Sequence, residues 1–389
     1  MTAGVPVRPT LAGRLPQFPW DALAGAAQRA RAHPDGIVDL SIGTPVDSVP
    51  DLVQAALAAA ANSPGYPATH GTPALREAAA GWLARRHAVT VSPDAILPVI
   101  GTKELVASLP TQLGCGPGDV VVHPGLAYPT YDLGARLAGA RPERADDFSG
   151  AGPLGSGPRG SGPLGSGPEP VRLVWLNSPS NPTGAVLPDE RLRQAIGWAR
   201  DHGAVVASDE CYLELGWEAE PRSVLHSEVC GGSHHGLLAV HSLSKRSNLA
   251  GYRAGFVTGD PALVAELLEI RKHAGLLMPG PVQAAMTAAL NDDRHAEEQR
   301  ARYAARRARL RPALEAAGWQ VDESVAGLYL WAAHANYDGR KSVEVLSEAG
   351  ILVAPGPIYG PAGERHIRAA LTATDERIDA AVRRLAALA

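Results

Sequence analysis

The chain has 389 residues, 45% of them apolar, a length beyond the usual single core that predicts two domains, each with a substantial buried centre. A net charge of −4 without any basic block argues against a nucleic-acid or anionic-membrane partner and favours small-molecule chemistry. Cys115, Cys211 and Cys230 lack metal-ligand spacing and are too few for a disulfide framework, the opening residues lack a signal-peptide apolar core, and no run is long enough to span a bilayer, so a cytoplasmic protein is expected.

In chain order, TPALREAAAGWLARRH predicts a helix with Thr72 as N-cap and Pro73 at its first position. From about residue 95, short apolar runs alternate with helical periodicity. AILPVI precedes a helix opening at Gly101, DVVVHP precedes one near Tyr128, and VRLVWLN precedes PDERLRQAIGWARDHG. AVVASDE, LLAVHSLS and RAGFVTG follow, the last leading into a helix from Pro261. This alternation predicts an α/β domain on a largely parallel sheet. Residues 149–170 contain GPLGSGP twice and predict a low-complexity surface insertion that carries no chemistry. After residue 282 an Ala/Arg-rich helical stretch leads to strands around GLYLWA, ILVAP and RHIRAAL and a final helix from Asp375, a smaller α+β domain that the N-terminal segment joins. The expected division is 48–282 for the large domain and 1–47 with 283–389 for the small one.

Lysine is scarce: Lys103, Lys245, Lys272 and Lys341 are the whole supply, against 32 arginines. Lys245 falls just past the carboxyl end of LLAVHSLS, where open α/β sheets place their ligands. Asp209 follows AVVAS in the same way, and Asn181 follows VRLVWLN in the turn NSPSNPTG. Gly101 opens a helix directly after a strand, offering N–H groups and a positive dipole end to an anion, and Arg253 adds a planar fork of donors suited to phosphate. An amine, a carboxylate, an anion cradle and an arginine at one sheet edge match the needs of pyridoxal phosphate. Lys245 would form the Schiff base, Asp209 would keep a proton on the pyridine nitrogen, and Asn181 and Tyr212 would bond the phenolic oxygen. Once displaced by substrate, the lysine is free to carry a proton as base and then acid.

The segments YPATHGTPALREA, GTKE, AYPTY, NSPSNPTG, SDECY, SLSKRSNLAGYRAGF and HIRAAL, in this order, resemble the fold-type I, class I/II aminotransferases, over nearly the whole chain apart from the insertion. That resemblance implies a seven-stranded, mostly parallel sheet and pyridoxal phosphate as cofactor. It implies Lys245 as the Schiff-base lysine, Asp209 at the pyridine nitrogen, Tyr128 on the ring face, and Asn181 and Tyr212 at the phenolic oxygen. For the phosphate it implies Gly101, Thr102 and Lys103 at the helix start, Ser242 by its hydroxyl, and Arg253. Tyr66 would reach the phosphate of a neighbouring copy in a homodimer with shared active sites. Arg368 would clamp the substrate α-carboxylate, with the Gly43 backbone and Asn181 nearby. Pro124, Leu126 and Tyr128 depart from the usual Pro-x-Pro-x-Tyr spelling, so a slightly different loop angle is expected.

The wording of GTKELVASLPTQLG, LAYPTYDLGARLAG and SLSKRSNLAGYRAGF is similar to the actinobacterial succinyldiaminopimelate aminotransferases of lysine and diaminopimelate biosynthesis. The expected substrates are an amino acid and a 2-oxo acid, with Lys103 and Arg246 as candidate contacts for a distal carboxylate. An aminotransferase of aspartate or aromatic type, a C–S lyase on the same scaffold, and a non-catalytic ligand sensor are the alternatives; the sensor would need a helix-turn-helix module for which the N-terminal segment leaves no room. Taken singly the residues also have plainer readings: Lys103 as a solvated side chain, Asp209 with Glu210 as a helix-start acidic pair, Tyr128 as core, Tyr66 and Arg368 as structural. The histidines, His234 and His235 included, show no metal-ligand pattern and are expected on surface or loops.

Overall fold

The structure is a computed structural model that describes residues 13, 15–148 and 169–389. The insertion 149–170 lies outside the described residues except for Glu169 and Pro170.

The described strands are β1 (Val38–Asp39), β2 (Ile96–Ile100), β3 (Val120–His123), β4 (Arg141–Arg144), β5 (Val171–Asn177), β6 (Val205–Asp209), β7 (Leu237–Ser242), β8 (Ala254–Gly259), β9 (Trp319–Asp322), β10 (Tyr329–His334), β11 (Ile351–Leu352), β12 (Ala354–Pro355) and β13 (His366–Ala370). Seven of them form the central sheet in the order β2-β8-β7-β6-β5-β3-β4. It is parallel except for β8, which runs antiparallel to both β2 and β7. Helices cover both faces, which explains why its strands read as continuous apolar runs: every residue of β3, β7 and β8 is buried. Along β7, Leu237 and Ala239 join the cluster around Trp82, Trp198 and Phe256, while Leu238 and Val240 join the opposite cluster around Tyr131 and Trp175.

A third apolar cluster gathers Leu23, Val38 and Leu40 with Tyr303, Leu310, Trp319, Leu330 and Leu385 around a separate antiparallel sheet, β12-β13-β10-β9. Here ILVAP, expected as one strand, divides in two. Ile351–Leu352 pairs parallel with β1, and Ala354–Pro355 pairs antiparallel with β13. An apolar run shows where a strand is buried but not which partner it takes, and this one changes partners at Val353.

Two local features set up the site. The helix Pro73–His87 is capped by the Thr72 hydroxyl, which accepts from Leu75 N–H at 3.2 Å, and the Thr72 N–H donates to Gln283 Oε1 at 2.8 Å. The helix Thr102–Gln112 starts from Gly101 at φ +75°, a conformation glycine adopts freely. The registers set Asn177 of β5 beside Asp209 of β6 and Asp209 beside Val240 of β7, so the chain leaves all three strands at one edge of the sheet.

Candidate active site

Asp209, at the end of β6, and Lys245, just past the end of the neighbouring β7, both lie at that edge. Asp209 is 7% exposed; its Oδ2 accepts from the Tyr131 hydroxyl at 2.8 Å and its Oδ1 from the Cys211 N–H at 3.2 Å. Burial pushes the Asp209 carboxyl above its ordinary value, and the bonds from Cys211 and Tyr131 oppose that push. Lys245 follows on a short helical turn, Leu243–Arg246, opened by Ser242, and its ammonium donates to the Gly43 carbonyl. Burial lowers its affinity for a proton, and Arg368 and Arg253 lower it further against the pull of Tyr329 and Cys211. Burial pushes the Cys211 thiol well above its ordinary value, the Asp209 carboxylate adds to that push, and the charge of Lys245 opposes it. Among the described residues Asp209 thus has neutral hydrogen-bond donors but no bonded cation, an arrangement that a protonated ring nitrogen would complete.

Beside this pair is an anion cradle. The Arg253 guanidinium lies so close to Gly101 that any β-carbon there would overlap it. Arg253 itself sits at φ +56°, donates to Ala250 O at 2.9 Å and stays exposed. The first-turn N–H groups of Thr102 and Lys103 have no intrahelical acceptor and present the positive end of an eleven-residue helix. Ser242 Oγ accepts from Ser244 N–H at 3.1 Å, leaving its own proton to donate. Gly255 comes close enough to Thr102 that a β-carbon would lie 3.0 Å from its Cγ2. These features together fit a phosphate.

Arg368 forms the other end of the site. It is 2% exposed, with Nη1 donating to Asn181 Oδ1 and Nη2 to Ser41 O, both at 2.8 Å, while the buried Nε has no partner. Its Cζ lies 3.8 Å from the ring centroid of Tyr329, 4.9 Å from Tyr359 and 5.8 Å from Trp20. The bond to Arg368 fixes the Asn181 oxygen as an acceptor and turns its amide protons the other way. Tyr212 is buried, with its hydroxyl 3.0 Å from that of Tyr329.

The other expected residues fall out as follows. Tyr128 is half-buried at the start of the helix Thr130–Ala138, its ring edge-on to Tyr131 at 5.9 Å, and burial pushes its hydroxyl up to about 12. Its loop is seated by Ala127 N–H on Tyr359 O at 2.9 Å, and Leu126 packs beside Trp331 and Tyr359. Lys103 is exposed, its ammonium 5.4 Å from the Phe18 ring centroid. Tyr66 is 98% exposed. Arg246, expected as a substrate contact, is instead locked in the core: it is 6% exposed, ion-paired to Glu214, bonded to Ala289 O at 3.2 Å and packed 5.4 Å from Trp82. The turn of the short helix points it away from its neighbour Lys245.

Tyr131 and Tyr329 were not singled out by the sequence reading. Tyr131 had a faint signal, a second tyrosine three positions after Tyr128 and so about one helical turn further on. Among the described residues no group of His, Cys, Asp and Glu has metal-site geometry, and no helix is long and apolar enough to cross a membrane.

The profile of the family described as aminotransferase class I and II matches residues 35–385. The chain is 59% identical over 371 residues to a 4-dedimethylamino-4-oxo-anhydrotetracycline transaminase, OxyQ, of Streptomyces rimosus, spanning 95% of this chain and 99% of that one. It is 60% identical over 381 residues to a probable aminotransferase of Mycobacterium tuberculosis, spanning 98% and 87%. Among solved structures it is similar to a probable N-succinyldiaminopimelate aminotransferase from Thermus thermophilus, with a TM-score of 0.83, 30% identity, and 95% and 100% of the two chains covered.

Proposed function

Since this chain belongs to the class I and II aminotransferases, whose members use pyridoxal phosphate, we propose that it moves an amino group between glutamate and N-succinyl-2-amino-6-oxopimelate, giving N-succinyl-LL-2,6-diaminopimelate in the forward sense. The observation that carries the catalytic part is the placement of a buried Asp209, without a bonded cation among the described residues, and of the amine-bearing Lys245 at the ends of neighbouring strands. The bound cofactor supplies an electron sink for the substrate's α-carbon.

In this reading Asp209 holds a proton on the ring nitrogen, Tyr128 covers the ring face, and Asn181 and Tyr212 donate to the ring oxygen. Gly101, Thr102, Lys103, Ser242 and Arg253 bind the phosphate. Lys245, with its proton affinity lowered by burial, is a base that can also return the proton. Arg368 takes the α-carboxylate on its Nε edge, which has no partner among the described residues, with the Gly43 backbone nearby. Residues 48–282 serve as the cofactor domain, and 1–47 with 283–389 as the small one. Tyr66, with Phe18, Ile42, Val46 and Leu52 also exposed, is offered to a second copy in a cytoplasmic homodimer.

Support for the succinyl substrate is the likeness to the Thermus thermophilus enzyme and the position of Lys103, the remaining candidate for a distal carboxylate. A second reading has its own support: the relative named as a transaminase of 4-dedimethylamino-4-oxo-anhydrotetracycline, together with the rings of Phe18, 51% exposed, and Trp20, suggests a polycyclic ketone as acceptor.

A half-reaction screen tests both. The purified holoenzyme is mixed with single amines and the decay of its visible cofactor band is followed. Glutamate and N-succinyl-LL-2,6-diaminopimelate should react fastest. Faster reaction with aspartate or an aromatic amino acid would end the diaminopimelate assignment but leave transamination standing. Preference for an aminated anhydrotetracycline would select the second reading, and pyruvate with ammonia from a β-substituted amino acid would indicate a lyase.

A further inference from the structure

Tyr329 stands where the two ends of the site meet. It is 4% exposed on β10, directly opposite Ala370 of β13, which puts its ring on the same sheet face as Arg368 two residues away. The ring lies 3.8 Å from the Arg368 Cζ, and the hydroxyl lies 3.0 Å from that of Tyr212. Gly43 passes so close that any side chain there would overlap the phenol. The same backbone segment holds Lys245 through Gly43 O and Arg368 through Ser41 O. One side chain therefore touches the partners of the lysine, of the ring oxygen and of the carboxylate.

A phenol has one proton to donate. When Tyr212 gives its proton to the cofactor's ring oxygen, its own oxygen must accept, and Tyr329 is the donor in reach. Hydrogen bonds in series polarise one another, so a Tyr212 that accepts from Tyr329 donates more strongly. We propose that Tyr329 is a positioning residue that couples the two ends of the site, strengthening Tyr212 through its hydroxyl and holding the Arg368 guanidinium flat through its ring. This coupling rests on the roles given above to Tyr212 and Arg368. Packing alone would leave the hydroxyl without consequence, because phenylalanine fills the same space.

The test separates hydroxyl from ring, and Tyr329 from Tyr212. A weaker donor leaves more negative charge on the ring oxygen and raises the proton affinity of the nitrogen beside it. The pH midpoint of the holoenzyme's visible absorbance should therefore rise by about one unit in Tyr212→Phe. In Tyr329→Phe it should rise by about half a unit. The double variant should match Tyr212→Phe alone, since the outer hydroxyl acts only through the inner one. The KM for glutamate should change less than about twofold in Tyr329→Phe, which keeps the ring, but rise about three- to thirtyfold in Tyr329→Leu, which removes it. A midpoint that moves in Tyr212→Phe but not in Tyr329→Phe, or shifts that add in the double variant, would overturn the coupling alone. So would an unchanged KM in Tyr329→Leu. A midpoint that stays put in Tyr212→Phe would overturn the ring-oxygen role of Tyr212, and the coupling with it.

Discussion

Around Lys245 and Asp209 the side chains leave neighbouring strands of one sheet; around Arg368 they arrive from segments far apart in the chain. Asp209 and Val240 are paired across β6 and β7, and Asn177 of β5 donates to Asp209 O at 3.0 Å. Arg368 reaches Asn181 and Ser41 over sequence separations of 187 and 327 residues. The first arrangement is fixed once the parallel sheet forms. The second depends on how the antiparallel sheet carrying Tyr329 and Arg368 sits against the large one. Substrate grip can therefore change while the anchor of the cofactor stays in place, with Tyr329 as the link between the two ends, which is one way a single catalytic apparatus can serve different substrates.

The largest effects should separate the two ends. Lys245→Ala removes the one amine with buried surroundings at the sheet edge among the described residues, and it should abolish the visible cofactor band and lower transamination by at least about a thousandfold. Spectra and turnover measure this, and normal turnover would end the assignment of the lysine. Arg368→Lys replaces a forked donor by a point charge, and should raise the KM for glutamate about ten- to a hundredfold while the visible band persists. Loss of the band in that variant would show that retention of the cofactor itself depends on Arg368, a stronger dependence than the link through Tyr329 provides.

What the sequence revealed follows the same contrast. The placement of Lys245, Asp209, Asn181 and Gly101 at one sheet edge was legible because each lies at or just past the end of a recognisable apolar run, and open sheets gather such ends at one edge. Tyr329 lay inside GLYLWA, which reads only as a strand. That it faces Arg368 is decided by the register of β10 on β13, a pairing that leaves no trace in local periodicity. Arg246 was misread for a related reason: adjacency to Lys245 in sequence says nothing of direction, and the ion pair with Glu214 draws it into the core. The division of ILVAP was hidden likewise, since pairing partners are chosen by tertiary structure.

A smaller effect sharpens the cofactor end. Tyr131→Phe keeps the stacking on Trp175, 5.0 Å away, but deletes the hydroxyl that donates to Asp209 Oδ2. Without that donor the ionised carboxylate is less favoured, so the proton on the ring nitrogen is held less firmly. Turnover should fall about five- to tenfold and cofactor should dissociate faster on dilution, with the KM for glutamate little changed. An equal loss through KM would place Tyr131 with the carboxylate end instead.

The smallest effect concerns stability behind the cofactor end. Glu210 follows Asp209 but faces inward: its Oε1 accepts from Val224 N–H at 2.7 Å, and its Oε2 lies 3.7 Å from His241 Nε2. Burial pushes Glu210 up to about 7 and drives His241 down to about 3. Between the ordinary carboxyl value of 4.5 and about 7, the folded chain keeps a proton on Glu210 that the unfolded chain releases, so this group's contribution to stability falls as pH rises. His241 acts oppositely below its ordinary 6.5, because the unfolded imidazole binds a proton that the folded one refuses. Within that shared window the two largely offset each other. Glu210→Gln keeps an oxygen for Val224 N–H and removes only the titration. The unfolding free energy of the wild type should therefore fall relative to that of the variant by about 1 kcal/mol per pH unit between pH 5 and 7. Denaturant midpoints at pH 5, 6 and 7 measure that difference. Parallel curves would mean that Glu210 is already ionised in the fold, a buried charge facing the Val224 N–H and a neutral His241.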